Sequence, residues 1–549
     1  MENQKTIILL VIFGLSSMML WTNWQRANMP TATQQQAATP GSSGQSGTVA
    51  PPTPGIGAAA PASGASPPAV GTSGAQSPRL VVKTDFLVAE ITAQGGDIVK
   101  LEFLKHHARE DVSKPFQLLD DGSSHIYKAQ SGLLGGYADH NTVYRLPAAA
   151  VELKPGEDKV EVRLSAPGAS GVDVTKVLSF KRSSYLIDTK FEIRNGTNAA
   201  ISPSAYFQLL RDGKKIESDA KMVSTFTGPA TYTSADNYQK IEFSKLDKEG
   251  LISKKGSDGW VAMVQHYFVS AYVPVPGPER EYYARKQNDL YAVGLLLPLG
   301  SIAAGATGSV DVPLYSGPQE TSNLEKIAPG LELVVDYGWL KLIAFPIYWL
   351  LSMLHKLVGN WGWAIILLTI GIKLMFFPLS AASYKSMAKM RQVGPRLQRL
   401  KEQFGDDRAR MNQEMMELYK REKINPLGGC LPILVQIPVF ISLYWVLLGA
   451  VEMRHAPWVL WIADLSDKDP YFVMPLVMGA TMLIQTKLNP TPPDPIQAKV
   501  MWLMPIVFTG MFLFFPAGLV LYWTINNLLS IAQQWQINRM IEGGKAKAA

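Results

Sequence analysis

WGWAIILLTIGIKLMFFPLS, residues 361–380, is an apolar run that carries a single cation, Lys373. At ~1.5 Å per residue, a helix of about 20 residues matches a hydrocarbon core of roughly 30 Å, so the run reads as a membrane-spanning helix. A lysine near the middle of such a helix costs on the order of 2.5–3.5 kcal/mol on insertion scales, so the side chain is expected to face protein or water. Thr369 sits one helical turn earlier on the same face.

Apolar runs continue toward the C-terminus. Residues 427–451, 471–488, 500–516 and 517–538 read as four more spans. The fifth span, about 16 residues and ~24 Å as an ideal helix, suits a locally thinned bilayer. Upstream, residues 321–358 are apolar but broken by Pro329, Gly330, Asp336, Lys341, Pro346, His355 and Lys356. They suit a helix lying in the interface and leading into residues 359–380 better than a clean crossing. Near the start, TIILLVIFGLSSMML (residues 6–20) is followed by WTNWQRANMP with no small-x-small cleavage site. Residues 1–28 therefore read as a retained anchor rather than a cleaved signal peptide. Six spans are expected.

The soluble parts differ in kind. Residues 29–78 are rich in Pro, Gly, Ala and Ser, as in PPTPGIGAAAPASGASPP, and cannot bury enough apolar area to order themselves. Between residues 79 and 320 the period is two: Val99, Leu101 and Phe103 alternate with Lys100 and Glu102, and Val160, Val162 and Leu164 with Glu161 and Arg163. An antiparallel β-sandwich follows from that pattern. Its histidines, His106, His125, His140 and His266, show no metal-ligand spacing, and no GxSxG is present. Trp260 and Tyr267 read as core aromatics ahead of a groove lining. Residues 381–426 form a basic helical hairpin around Gly405, Asp406 and Asp407, with Asp407 as N-cap of the second helix. Met387, Met390, Met411, Met415 and Met416 give this hairpin either a soft surface for varied partners or the packing between its two helices.

The 549-residue chain has a net charge of +7 and a pI of about 9.1. Its basic residues cluster beside apolar runs, which points to lipid headgroups and topology rather than specific nucleic-acid binding. By the positive-inside rule the hairpin, the 489–499 turn and the 539–549 tail are cytoplasmic, the acidic 452–470 loop lies outside, and both termini are cytoplasmic. The single cysteine, Cys430, excludes an intrachain disulfide and a CxxC site.

Polar side chains recur within the spans: Thr369, Lys373, Gln436, Gln485, Thr524, Asn526, Asn527, Ser530, Gln533 and Gln534. Tyr522 and Asn526 are four apart, as are Trp523 and Asn527, with Ser530 and Gln534 continuing the second row. Converging faces would make a wet cationic groove in the inner leaflet. Alternatively, each amide glues neighbouring helices and Lys373 snorkels to the headgroups. No acid–base pair, metal-ligand set or phosphate loop is visible, so neither an enzyme nor a cofactor is expected. Nor does an intramembrane carboxylate or internal duplication suggest an ion-coupled transporter.

The run YKSMAKMRQVGPRLQRLKEQFGDDRARMNQEMMELYKREKINPLGGCLPILVQIPVF (residues 384–440), with GWVAMVQHYF (259–268), YSGP (315–318) and FPAGLVLYWTINNLLSIAQQW (515–535), resembles the YidC/Oxa/Alb family of membrane insertases. The resemblance is to the Gram-negative type and covers nearly the whole chain outside the 29–78 tether. It implies an uncleaved first span, a periplasmic β-supersandwich, an interfacial helix, a cytoplasmic hairpin and a five-span core in the bacterial inner membrane. It also implies insertion and folding of nascent membrane proteins, alone or beside the Sec translocon and its accessory subunits, with the ribosome at the cytoplasmic face and inner-membrane lipids around it. By the family's TxxxR motif, Thr369 and Lys373 fall at the groove threonine and groove arginine, with lysine in place of arginine. Tyr522 and Trp523 fall at the adjacent aromatic pair. A groove of Lys373, Thr369, Gln436, Tyr522, Trp523, Asn526 and Asn527 is the expected substrate site. The competing reading is a static scaffold that acts through its sandwich, with the bundle as its anchor.

Overall fold

The computed structural model describes residues 77–109, 111–169, 171–214, 225–404, 407–422, 431–489 and 495–546. The expected anchor at 1–28, nearly all of the tether, Gly405, Asp406 and Cys430 lie outside them. Residues 392–425 group separately from 65–391 and 426–549.

The strands between Arg79 and Pro318 form a ten-stranded and an eight-stranded sheet among the described residues. The larger runs from Leu251–Gly256 at one edge to Ala150–Glu152 at the other, and the smaller from Asn237–Lys240 to Lys159–Ala169. Neighbours pair antiparallel, except that Arg79–Lys83 runs parallel to Ala150–Glu152. Alternation sets the faces. In Ile98–His107 (IVKLEFLKHH), Val99, Leu101 and Phe103 are buried while Lys100 and Glu102 are partly exposed. Leu101 and Phe103 share one core with Leu178, Phe180 and Phe191 of the smaller sheet.

A polar chain crosses that core. The Lys176 ammonium, 1% exposed, donates to Gly95 O at 2.9 Å and lies 3.8 Å from Asp97 Oδ1. Gln130 donates to Asp97 at 2.8 Å, Gln208 to Gln130 at 3.0 Å, and the Tyr283 hydroxyl to Gln208 at 2.9 Å. Burial pushes Lys176 down to about 8 against the pull of Asp97, and pushes the Asp97 carboxyl up against the pull of Lys176.

The helices are α1 (Phe243–Glu249), α2 (Thr321–Ile327), α3 (Lys341–Val358), α4 (Trp361–Met375), α5 (Phe377–Phe404), α6 (Arg408–Arg421), α7 (Leu431–Gly449), α8 (Val473–Leu488), α9 (Pro495–Phe512) and α10 (Ala517–Ala546). Helix α3 buries Ala344, Ile347 and Leu351 and exposes Leu342, Trp349 and Leu357. Among the described residues it is the one helix that by itself is long and apolar enough to cross a membrane. The expected 361–380 span is not one straight helix. It ends at Met375, and the chain bends by 67° into α5, because Pro378 has no N–H to offer the carbonyl four residues back and its ring crowds that turn. Helices α8 and α9 end at or near the expected positions, but α9 begins at Pro495, inside the expected turn, where proline suits a first helical residue. The outer faces are apolar: Leu476, Ile484, Leu503, Ile506 and Val507 stand exposed, as surface for lipid would.

A second core joins sheet to bundle. Trp260, Ala262, Val264 and Val269 of the smaller sheet cluster with Leu331, Val334, Ala344, Leu443, Val446 and Leu521. Trp260, 1% exposed, donates from Nε1 to Pro329 O at 3.1 Å and stacks on Tyr232 at 5.7 Å.

Residues 452–470 form a clasp over the helix ends. Asp469, fully buried, accepts from Trp461 Nε1 at 3.0 Å, Tyr471 N at 3.0 Å and Met474 N at 2.7 Å, closing the start of α8. Trp458 of the clasp leaves room on α4 only for glycine, since a Cβ at Gly362 would sit 2.1 Å from its ring. In the 392–425 group, Val393, Met415 and Tyr419 are buried, Arg396 pairs with Glu422 at 2.6 Å, and the Asp407 side chain caps α6 by accepting from Arg410 N at 3.0 Å.

Two outcomes test this packing. Lys176→Met strands a buried carboxylate and is expected to cost about 3–5 kcal/mol. Lys176→Met combined with Asp97→Asn is expected to recover most of the loss in thermal unfolding of the detergent-solubilised chain. Gly362→Ala, which forces the Trp458 ring to move, is expected to cost about 1–3 kcal/mol by the same measurement.

Candidate functional site

Helix α4 starts where the Asn360 side chain accepts from Trp363 N at 3.2 Å. From that start, four-residue spacing points Ile365, Thr369 and Lys373 along one buried face. Lys373 is 7% exposed and donates from Nζ to Ser530 Oγ of α10 at 2.8 Å. Ser530 in turn donates to Asn526 O, one turn back, at 2.7 Å, so its lone pairs stay available to the ammonium. The lysine points into the protein.

Beside it lies a cleft of about 320 Å³. The bend at Phe376 creates it. Lys373 lies before the bend and Leu379 and Ser380 after it, and Val435, Gln436 and Val439 of α7 face them. The Gln436 amide donates to Asn526 Oδ1 across the floor. Lys373, Ser530, Asn526 and Gln436 thus form one polar strip linking α4, α10 and α7. The Lys373 ammonium has three N–H donors, and Ser530 takes one.

Of the other expected residues, Thr369, Trp523 and Asn527 separate from this strip. Thr369 is 1% exposed and its hydroxyl bonds back to Ile365 O at 2.7 Å, inside packed helices rather than in the cleft. Tyr522 is likewise 1% exposed, its ring stacks on Phe440 at 6.2 Å, and its hydroxyl meets the Gln436 side chain. Trp523 meets Phe440 edge-on at 4.6 Å and packs on Phe508 and Phe512. Asn527 turns toward α8, donating to Thr481 Oγ1 at 3.2 Å, and Gln534 follows it to Leu488 O at 3.1 Å. These two amides tie helices together. Ser530 belongs with the Asn526 row and not, as the sequence spacing suggested, with Asn527. Its role as the lysine's partner was missed, although four-residue spacing from Asn526 was the available signal. Among the methionines, Met415 is buried in the hairpin and Met416 is 48% exposed, while Met387, Met390 and Met411 are half-buried. No group of three or more His, Cys, Asp or Glu suited to a metal occurs among the described residues.

Two family models match the chain between residues 79 and 545. One described as "YidC periplasmic domain" matches residues 79–350, and one described as "60Kd inner membrane protein" matches residues 353–545. A relative from Aromatoleum aromaticum, "Membrane protein insertase YidC", is 59% identical over 100% of this chain and 99% of its own. The chain belongs to the YidC family. A relative of the same name from Dechloromonas aromatica is 55% identical over 99% of this chain and 98% of its own. The solved structure "Active YidC insertase crystal structure with the first transmembrane domain resolved" aligns with 83% of this chain and 94% of its own at 17% identity and a TM-score of 0.39. YidC proteins are insertases, not enzymes, and this one is a protein of the bacterial inner membrane with a β-rich domain and a helical C-terminal region.

In a Cys430→Ser background, Gln436→Cys is expected to react with a membrane-impermeant maleimide offered from the cytoplasmic side, and Asn527→Cys to stay unreactive. Equal labelling of the two would refute the division between cleft and helix glue.

Proposed function

We propose that this chain inserts nascent membrane proteins into the inner membrane by receiving their polar segments in the Lys373 cleft. The observation that carries the reading is a buried ammonium, held by Ser530 at 2.8 Å, on the wall of a cleft between α4, α5 and α7. A charge so placed attracts the acidic or polar end of a substrate, because attraction in a low-dielectric site is far stronger than in water. The substrate's apolar helix then partitions into lipid past α7 and α10, driven by transfer of roughly 25 cal/mol per Å² of apolar surface. No nucleotide is required.

The remaining parts of the reading follow charge and length. The hairpin and C-terminal tail face the cytoplasm by the positive-inside rule, and the sandwich faces the periplasm. Residues 1–28 and 321–358 serve as anchor and interfacial helix, and five spans form the core. Helix α4, at 15 residues or ~22 Å, is shorter than a ~30 Å hydrocarbon core, which favours thinning of the bilayer beside the cleft. At the cytoplasmic side the basic hairpin, with the exposed Met416, offers a surface to the ribosome and emerging chains, and the Sec translocon is a lateral partner. Thr369 acts by packing beneath the groove rather than by touching substrate.

In a strain depleted of its own insertase, Lys373→Ala is expected to lower insertion of substrates with acidic translocated segments at least several-fold, and Lys373→Arg to retain it. Normal insertion by the alanine variant would sink the electrostatic step. Deleting most of residues 79–318 is expected to leave insertion measurable, whereas a scaffold acting through its sandwich would lose all function.

A further inference from the structure

A second recess lies where the sandwich meets the bundle. Its wall is the turn of the hairpin formed by Trp260–Gln265 and Phe268–Tyr272, together with Leu448 at the end of α7, the clasp, and Pro516 ahead of α10. Two of its features point to a ligand. The Arg454 guanidinium stacks over Phe116 at 5.0 Å and Phe268 at 5.6 Å, and its Nη1 is buried without a hydrogen-bond partner. Asp464, whose charge acts on Arg454, forms its hydrogen bonds elsewhere: Oδ1 accepts from Ser466 N at 2.8 Å and Ser466 Oγ at 2.7 Å, and Oδ2 lies 3.4 Å from His455.

His266 adds a directional contact. Its Nε2 lies 3.0 Å from Leu448 O, so Nε2 carries the proton, and the bare Nδ1 is buried without a partner. Burial, helped by the neighbouring Arg109 and Arg454 charges, pushes this imidazole down to about 4. An anion in the recess would oppose that shift and let Nδ1 take up a proton toward it. Arg109, paired with Asp467 at 2.8 Å, stands at the more exposed lip.

We propose that this recess binds a phosphate-bearing group, with Arg454 as its main contact and Arg109 at its mouth. The ends of two apolar helices, at Leu448 and Pro516, line the recess, which puts it at the depth of lipid headgroups, so the source is a membrane phospholipid. Guanidinium matches phosphate oxygens in pairs. Such a ligand would bridge sandwich, clasp and helix ends, independently of the Lys373 cleft.

The test is thermal unfolding of the full chain in an uncharged detergent, with added phosphatidylglycerol, an uncharged phosphate-free galactolipid, or inorganic phosphate at matched ionic strength. Phosphatidylglycerol is expected to raise the apparent Tm by several degrees more than the galactolipid, and Arg454→Gln to remove at least half of that excess. An excess equal in wild type and Arg454→Gln overturns the proposal. An equal rise with inorganic phosphate alone overturns the lipid as source. If Arg454→Gln does not fold, Arg109→Gln takes its place: a reduced excess supports the site, and an unchanged one overturns it.

Discussion

An ammonium among apolar helices must be held, and the way Lys373 is held organises the bundle around it. Its partner Ser530 sits on a helix that spends a hydroxyl proton on its own backbone carbonyl, which leaves oxygen lone pairs for the cation. A neutral partner supplies a hydrogen bond without cancelling the charge. A carboxylate there would have neutralised the site and made it a structural ion pair. The break before α5 matters equally, since a straight helix through Phe376 would carry Leu379 and Ser380 past α7 and leave no recess beside the lysine.

The sandwich is not a separate body hung on this machinery. Its smaller sheet contributes Trp260, Val264 and Val269 to the core that also contains α3, α7 and α10 residues. At the turn between its two central strands, His266 caps the C-terminal end of α7 through Leu448 O. Helix α7 also carries Gln436, so the helix that floors the cleft is gripped by the sandwich at one end and bonded to Asn526 farther along.

What the sequence disclosed follows from how local each signal is. The two-residue alternation at Val99 to Phe103 is a property of one strand and revealed the sandwich, and Asp407 could be read as a cap from its neighbours alone. The bend was half legible. Pro378 marked a stop, but the direction of the next helix depends on what it packs against. Least legible was the sorting of polar side chains within α10. Asn526 and Asn527 are adjacent and chemically identical, yet one faces α7 and the other α8, and only the azimuth of the helix in the bundle decides between cleft and glue. Residues 452–470 read simply as an acidic outside loop. Their role as a clasp, with Asp469 fully buried, requires three donors from the folded chain that no spacing announces.

The same azimuth bears on why lysine can stand where the family motif has arginine. A guanidinium offers five donors in a rigid plane and needs partners arrayed to match, whereas an ammonium offers three rotatable donors from a point. Here the protein supplies one acceptor, a serine hydroxyl, and the cleft, lined by Lys373 itself, spans the chain's bend. One acceptor fits an ammonium and would leave most of a guanidinium fork to water or substrate. On the proposed reading, a lysine so placed binds a passing carboxylate as a point charge, without a geometric demand on its orientation. That suits a site whose substrates share polarity but not shape.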